Sequence, residues 1–178
     1  MNRFLRVALP ALVLCTSVRA LADSASGVQT RPVNEPARWA LGLTLGEPTG
    51  ISAKRYLGGR NSFDLNIDAA YGPGLRIGAD YLWGLAQLLS DRSSVDLDVY
   101  LGVGPFVGTL QGPCENFGTW RHDCNGDLYA GGRMPLGIEA VFQRVPVTLG
   151  LELAPGLAFA PGRAGFLLDA SLMARVLL

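Results

Sequence analysis

The residues whose types could do chemistry lie together in the second half of the chain. His122 is the only histidine, and the cysteines Cys114 and Cys124 stand on either side of it. A histidine can act as a general base, but catalysis also needs a nucleophile beside it and an acid that orients it. We find no serine on the apolar face of a strand near His122. We therefore interpret His122 as a solvated loop side chain and expect no catalytic residues.

The two cysteines are expected to form a disulfide. An export signal, described below, would remove Cys15 and leave Cys114 and Cys124 as an even pair in an oxidising compartment. Closing a loop of this size is worth roughly 3 kcal/mol in the chain-entropy model. The alternative is a metal pair with His122 and Asp123 as further ligands. These residues do not form a clean tetrahedral set at a familiar spacing, so no metal and no cofactor is expected.

A second pattern with chemical potential is the pair Asp96 and Asp98. Residues two apart on a strand point to the same face, so these carboxylates could bind a cation or exchange protons. In the interior of a narrow closed sheet, such acids more often pair with arginine. We interpret both as members of the ionic network described below.

A signal peptide is predicted over residues 1–22. Two arginines precede an apolar stretch, and Ala20–Ala22 has the small-x-small pattern of a cleavage site. The stretch is shorter than the about 20 apolar residues that a membrane-spanning helix needs. A lipoprotein would use Cys15, but the bulky Leu14 precedes it. Residues 23–37 carry prolines and show no periodicity, so we expect a flexible N-terminal tail.

The remaining residues, 38–178, form one predicted domain in which apolar and polar side chains alternate. In the clearest example, Leu65 and Ile67 alternate with Asn66. A period of two is typical of β-strands with two different faces. Eight such strands are predicted, over residues 39–45, 51–57, 63–71, 75–83, 95–104, 128–142, 147–153 and 168–178. Residues 84–94 and 105–127 are predicted to be connections.

The composition of the two faces predicts their surroundings. The polar face carries many glycines, which cost about 0.5–1 kcal/mol each on a solvent-facing strand but fit a crowded interior. Aromatic residues such as Trp39 and Trp83 lie at strand ends on the apolar face, as in an interfacial belt. Closure of the last strand against the first would leave no bare edge in lipid. The predicted fold class is an all-β, closed, eight-stranded antiparallel up-and-down transmembrane β-barrel.

On this register the polar face lines the lumen. An eight-stranded interior is barely wide enough for side chains, so we expect a packed ionic network rather than a water path. Its predicted members are Lys54, Asp64, Asp68, Arg76, Asp80, Asp96, Asp98, Arg133, Glu139, Glu152, Asp169 and Arg175. The acids outnumber the bases, and buried ions need partners. Some acids are therefore expected to be protonated, hydrated at the lumen ends or close to a bound cation.

The connection over residues 105–127 is predicted to be extracellular. With both chain termini facing the periplasm, this connection falls on the side where long loops of outer-membrane barrels are found. Phe117, Trp120 and His122 in this segment are the candidates for contact with a ligand or with an extracellular or envelope partner. An equal alternative is that their side chains stabilise the loop itself.

Residues 38–178 resemble the small eight-stranded outer-membrane β-barrel proteins of Gram-negative bacteria, the OmpA/OmpX-like superfamily. The final strand, LLDASLMARVLL, looks like the C-terminal signal by which such barrels are recognised for insertion. The stretch GEPTGISAKRYL is similar to that of uncharacterised small barrel proteins of proteobacteria. The resemblance implies the fold, a location in the cell outer membrane and contact with outer-membrane lipid and lipopolysaccharide. It implies no activity.

Charge and length limit the function classes. Without the three arginines of the signal peptide, 12 basic residues remain against 15 acidic ones, so the basic footprint of a nucleic-acid binder is missing. The roughly 16–18 strands of a general porin do not fit this length. We expect a monomeric structural or surface-interaction protein that is not an enzyme. Two alternatives stay open: a lipid-modifying outer-membrane barrel enzyme, and a soluble periplasmic barrel that holds an apolar ligand against Leu65, Ile67, Leu97 and Val99.

Overall fold

The computed structural model describes residues 38–69, 74–90, 95–109, 128–142, 144–161 and 163–178. These residues form nine β-strands and no helix. The strands are β1 (Trp39–Glu47), β2 (Thr49–Tyr56), β3 (Asn61–Ala69), β4 (Leu75–Ser90), β5 (Val95–Thr109), β6 (Leu128–Arg133), β7 (Leu136–Phe142), β8 (Val147–Ala160) and β9 (Arg163–Leu177). Within the described part of the chain, no helix has the length and apolar character needed to cross a membrane.

All nine strands belong to one antiparallel sheet that closes on itself. Neighbours follow the order β4-β3-β2-β1-β9-β8-β6-β5, and β5 pairs again with β4. β6 and β7 lie end to end between β5 and β8, so nine strands fill a ring of eight positions. The first and last strands pair from Ala40 with Leu177 to Glu47 with Ala170, which confirms the expected closure.

The predicted count of eight strands is wrong because the segment over residues 128–142 is divided at Met134 and Pro135. A proline has no N–H to donate and interrupts a ladder of hydrogen bonds. The neighbouring strands bridge this break: Met134 N donates to Pro155 O at 2.9 Å, and Gly102 N donates to Pro135 O at 2.7 Å. β6 and β7 therefore hold a single position in the ring.

The strands are staggered around the ring. Paired residues can be followed from strand to strand once around the ring, starting at Ser90 on β4. The last pairing reaches β4 again at Gly78, twelve residues from the start. Between these two residues the pairing passes through Asp96, Val141, Thr148, Arg175, Gly42, Ser52 and Asn66. A stagger of this kind tilts the strands of a closed sheet and sets its width.

Several strands are longer than predicted. Residues 84–90 continue β4 and do not form part of a connection. Residues 105–109 continue β5, so they do not belong to the predicted 105–127 loop. β8 continues to Ala160, and β9 already begins at Arg163. The predicted connections over residues 84–94 and 105–127 are therefore shorter than the sequence pattern indicated.

Side chains alternate between a buried inner set and an exposed outer set. Leu43 and Leu45 are each 56% exposed, whereas Thr44 between them is only 6% exposed. Every strand of the ring contributes large apolar side chains to the exposed set. The buried set contains most of the charged residues of the strands. A polar interior and an apolar outer face are the reverse of the arrangement in an ordinary soluble domain.

Glycines on the inner face lie against aromatic rings of the neighbouring strand. In three cross-strand pairs, a Cβ atom on the glycine would collide with the ring: Gly137 with Tyr100, Gly131 with Phe106, and Gly108 with Tyr129. The rings occupy interior space that the glycines leave open. Close approach of this kind explains why the polar face is rich in glycine.

Candidate functional site: the ionic interior of the ring

The candidate site is the set of charged side chains inside the ring. Eleven of the twelve residues predicted for the ionic network are buried, and Asp98 is half-buried. Arg76 is 0% exposed, so its guanidinium is fully removed from solvent. Ion pairs sort nine of the twelve into two clusters, which we call the Arg175 cluster and the Arg133 cluster.

The Arg175 cluster contains Lys54, Asp64, Glu139 and Arg175. Arg175 Nη1 donates to Glu139 Oε1 at 3.2 Å, and Arg175 Nη2 donates to Asp64 Oδ2. Lys54 Nζ donates to Glu139 Oε2 at 2.7 Å. Two bases thus face two acids, and these four residues come from β2, β3, β7 and β9. The cluster is balanced in charge, as buried ions require.

Neutral side chains complete the hydrogen bonds of the Arg175 cluster. Arg175 Nε donates to Ser52 Oγ at 2.7 Å, and Ser52 Oγ donates to Asp64 Oδ1 at 3.1 Å. Tyr56 Oη donates to Glu139 Oε2 at 3.1 Å. Ser52 and Tyr56 are not among the residues predicted from the sequence. Both lie two positions from Lys54 on β2 and therefore point to the same face of the sheet. This position on the strand is the signal that could have identified them.

The Arg133 cluster lies nearer the other end of the ring and contains Asp68, Arg76, Asp80, Arg133 and Asp169. Arg133 Nη2 donates to Asp80 Oδ2 at 2.5 Å, and Arg133 Nη1 donates to Asp169 Oδ2 at 3.1 Å. Arg76 Nη2 lies 2.8 Å from Asp169 Oδ2 and 3.6 Å from Asp68 Oδ2. Three acids face two bases, so the cluster has one acid in excess.

Arg76 is held by charge and packing rather than by directed hydrogen bonds. Its three side-chain nitrogens have no hydrogen-bond partner among the described residues, although Nη2 is close to Asp169. The guanidinium carbon lies 5.4 Å from the centre of the Phe106 ring, within the range of a cation–π interaction. Phe106 in turn contacts the ring of Tyr129 at 5.9 Å. Aromatic side chains thus enclose this end of the interior.

The other three predicted network residues lie outside both clusters. Glu152 accepts a hydrogen bond from Tyr100 Oη at 2.8 Å. Asp96 is buried on β5. Asp98 stands beside Glu139 in the pairing of β5 with β7 and lines a pocket of about 50 Å³ at the end of the ring where Arg38 and Leu177 lie. This pocket is too small for most organic ligands.

Several predictions fall outside the described residues. They include the signal peptide and tail over residues 1–37, the disulfide of Cys114 and Cys124, and the contact candidates Phe117, Trp120 and His122. For the residues that are described, the structure contains no group of three or more His, Cys, Asp or Glu side chains that could hold a metal ion. The two clusters combine acids with arginine and lysine instead.

Comparison of the chain with protein-family models, with curated proteins and with solved structures finds no match. The protein is therefore described by its fold and by its candidate site. It is an all-β protein whose antiparallel sheet closes in a ring, with ion pairs inside and apolar side chains outside. In this interior, side chains of opposite charge pair with one another in a space that side chains nearly fill.

Proposed function

We propose that this chain is an outer-membrane β-barrel protein with a filled lumen and a structural or surface-interaction role. The observation that carries the proposal is the exposed apolar face. Leucine, isoleucine, valine or phenylalanine side chains on all nine strands are about half exposed. Water would disfavour such a continuous apolar belt, whereas the hydrocarbon core of a bilayer would stabilise it.

The closed ring of backbone pairing also supports insertion in a membrane. In lipid, each unpaired backbone N–H or C=O group costs several kcal/mol, so a sheet can cross a bilayer only if it closes. Here β1 pairs with both β2 and β9 along most of its length. A bilayer would then surround the part of the ring in which every strand has two neighbours.

The filled interior supports a structural role rather than the role of a general porin. Lys54, Asp64, Glu139 and Arg175 connect four strands through the centre of the ring. Two pockets lined by described residues of the interior have volumes of about 10 and 50 Å³. A solute larger than water would have to break these ion pairs to pass.

The remaining elements of the proposal concern export and surface contact. We infer that residues 1–22 direct export and are removed, and that Cys114 and Cys124 form a disulfide outside the membrane. The segment between Thr109 and Leu128 leaves the ring at the end opposite to Arg38 and Leu177. An extracellular or envelope partner would contact this segment, and outer-membrane lipid and lipopolysaccharide would surround the ring.

A soluble barrel with an apolar ligand in its centre is less well supported. That alternative requires Leu65 and Ile67 to face inward, but these side chains are 40% and 45% exposed. Asp64, Asn66 and Asp68, which alternate with them, are buried. The interior therefore offers charges where an apolar ligand needs hydrocarbon.

Cell fractionation followed by electrophoresis of unheated and boiled samples tests the proposal. We expect the protein in the outer-membrane fraction, with faster migration before boiling because a closed barrel stays compact in detergent. A boiled sample of the same fraction is the control for complete unfolding. Recovery as a detergent-free periplasmic protein, or equal migration of the two samples, would contradict the proposal.

A further inference from the structure

A small polar cavity lies between the Arg175 cluster and the Arg133 cluster. Asp64 and Arg175 line it from one cluster, and Asp68 and Arg133 line it from the other. Glu152 also lines it. The volume open to the centre of a water molecule is about 10 Å³, and one water needs roughly 10–15 Å³ measured in this way. The cavity is therefore of the size of one water molecule or one small ion.

The charges that line this cavity do not cancel. Asp64, Asp68 and Glu152 are acids, whereas Arg133 and Arg175 are the only bases among its described lining residues. The ion pairs among the described residues do not include Glu152, whose carboxylate accepts a hydrogen bond from neutral Tyr100. Asp68 Oδ2 lies 3.6 Å from Arg76, the longest of the interior ion pairs. The two clusters and Glu152 together contain six acids and four bases, so negative charge is in surplus at a site that is removed from solvent.

Two of the residues that line the cavity, Asn66 and Asp68, carry oxygen atoms with unused acceptor capacity. Asn66 Oδ1 and both carboxylate oxygens of Asp68 have no hydrogen-bond partner among the described residues. Both side chains are more than nine-tenths buried. The Nδ2 group of Asn66 donates to Asp80 Oδ2 at 3.3 Å, which leaves its carbonyl oxygen as a free acceptor. A buried acceptor without a donor is destabilising unless something binds it.

We propose that this cavity binds one monovalent hard cation, such as sodium. A bound cation offsets part of the surplus negative charge, and carboxylate and amide oxygens are the ligands that hard cations prefer. Asp68 and Asn66 on β3 and Glu152 on β8 would supply these oxygens from opposite sides of the cavity. The ion would join the two clusters into one continuous network. The proposal concerns the interior of the ring and holds whatever surrounds its outer face.

Thermal unfolding of the full chain, refolded in detergent, tests this inference. The midpoint Tm is measured in sodium chloride and in choline chloride at equal ionic strength, because choline is too large for the cavity. With sodium about tenfold above its Kd, we expect Tm to rise by roughly 3–6 °C relative to choline. Broadening of the sodium-23 NMR signal by the wild-type protein, relieved by heat unfolding, measures the binding directly.

Two variants locate the ion. Glu152→Gln keeps the acceptor for Tyr100 but removes one surplus negative charge and one proposed carboxylate ligand, so the sodium-dependent rise in Tm should disappear. Asn66→Ala removes one neutral ligand and should weaken sodium binding at least severalfold, which keeps the test valid if Glu152→Gln does not fold. Asp96→Asn is the matched control, because Asp96 is a buried acid that is not among the residues that line the cavity; its sodium response should equal that of the wild type.

Three results would overturn the inference. The first is a wild-type Tm that is the same in sodium and choline, with an unbroadened sodium signal. The second is a sodium response that Glu152→Gln and Asn66→Ala leave intact. The third is an equal loss of the response in Asp96→Asn, which would assign the ion to another part of the interior.

Discussion

Lys54 Nζ lies 2.7 Å from Glu139 Oε2, although the two residues are 85 positions apart. Their strands, β2 and β7, are not neighbours: three strands separate them in either direction around the ring. The ion pair therefore crosses the interior at its full width. The same ammonium group lies 4.7 Å from the centre of the Tyr100 ring. One lysine and one glutamate side chain together span the ring, so its interior is narrow.

Glu139→Gln should strongly reduce the free energy of unfolding. Glu139 is the acid that both Lys54 and Arg175 contact, and its loss would leave buried positive charge without a partner. Breaking a buried ion pair typically costs about 3–5 kcal/mol. Urea titration of the refolded protein, followed by tryptophan fluorescence, measures the change. The double variant Lys54→Met, Glu139→Leu should lose less than the two single changes together, and an additive loss would argue against the pairing.

Gly137→Ala should destabilise the ring through steric conflict. The new Cβ would enter the space of the Tyr100 ring, and overpacking typically costs about 1–3 kcal/mol. Gly132→Ala is the matched control, since its Cβ would meet only Gly104 O at 3.7 Å. Thermal melting monitored by circular dichroism compares the two variants. Equal melting temperatures would show that Tyr100 does not pack against Gly137.

An arginine on the outer face should test for lipid contact. Leu151 lies in the middle of β8 and is 51% exposed, whereas Phe159 lies near the end of the same strand. In a bilayer, Leu151→Arg should cost about 2–4 kcal/mol and Phe159→Arg only about 0–1 kcal/mol. The yield of heat-modifiable protein after refolding into lipid vesicles reports the difference. Two variants that insert equally well would contradict a membrane boundary between these positions.

The cysteine pair should be oxidised in the exported protein. We expect Cys114 and Cys124 to resist a thiol-specific reagent under denaturing conditions and to react after reduction. Oxidation of the pair should stabilise the protein by roughly 3 kcal/mol, in line with the loop that it closes. The Cys114→Ser variant is the control, because it leaves one thiol that reacts without reduction. Full reactivity of the unreduced wild type would rule the disulfide out.

Strand lengths show where sequence patterns stop being informative. The pairing of β4 with β5 shifts register twice, between Gly84 and Ala86 and between Gln87 and Leu89. Each bulge adds one residue and reverses the alternation, so a period of two cannot be followed through residues 84–90. The sequence therefore resembles a connection although the backbone stays extended.

Prolines accompany the unexpected lengths of β5 and β8. Pro105 on β5 and Pro155 on β8 lie close to Pro135, at the break between β6 and β7. A proline inside a strand argues for its end, and the predicted strands over residues 95–104 and 147–153 stop shortly before Pro105 and Pro155. In the ring, all three occur where pairing passes from β7 to β6. At this break, Gly102 N donates to Pro135 O and Met134 N donates to Pro155 O. These hydrogen bonds hold the strands together although the prolines have no N–H to donate.

The amino-acid sequence by itself determined the two faces, because each strand turns alternate side chains to opposite sides whatever its neighbours are. It was therefore enough to predict where most of the strands lie and which of their side chains share a face. Only the tertiary structure decided which charges meet. Stagger and closure bring Lys54 to Glu139 across the interior, and Arg133 to Asp80 past the intervening strand β5. Such partners depend on the width of the ring and on its accumulated register, and no local pattern in the chain encodes either quantity.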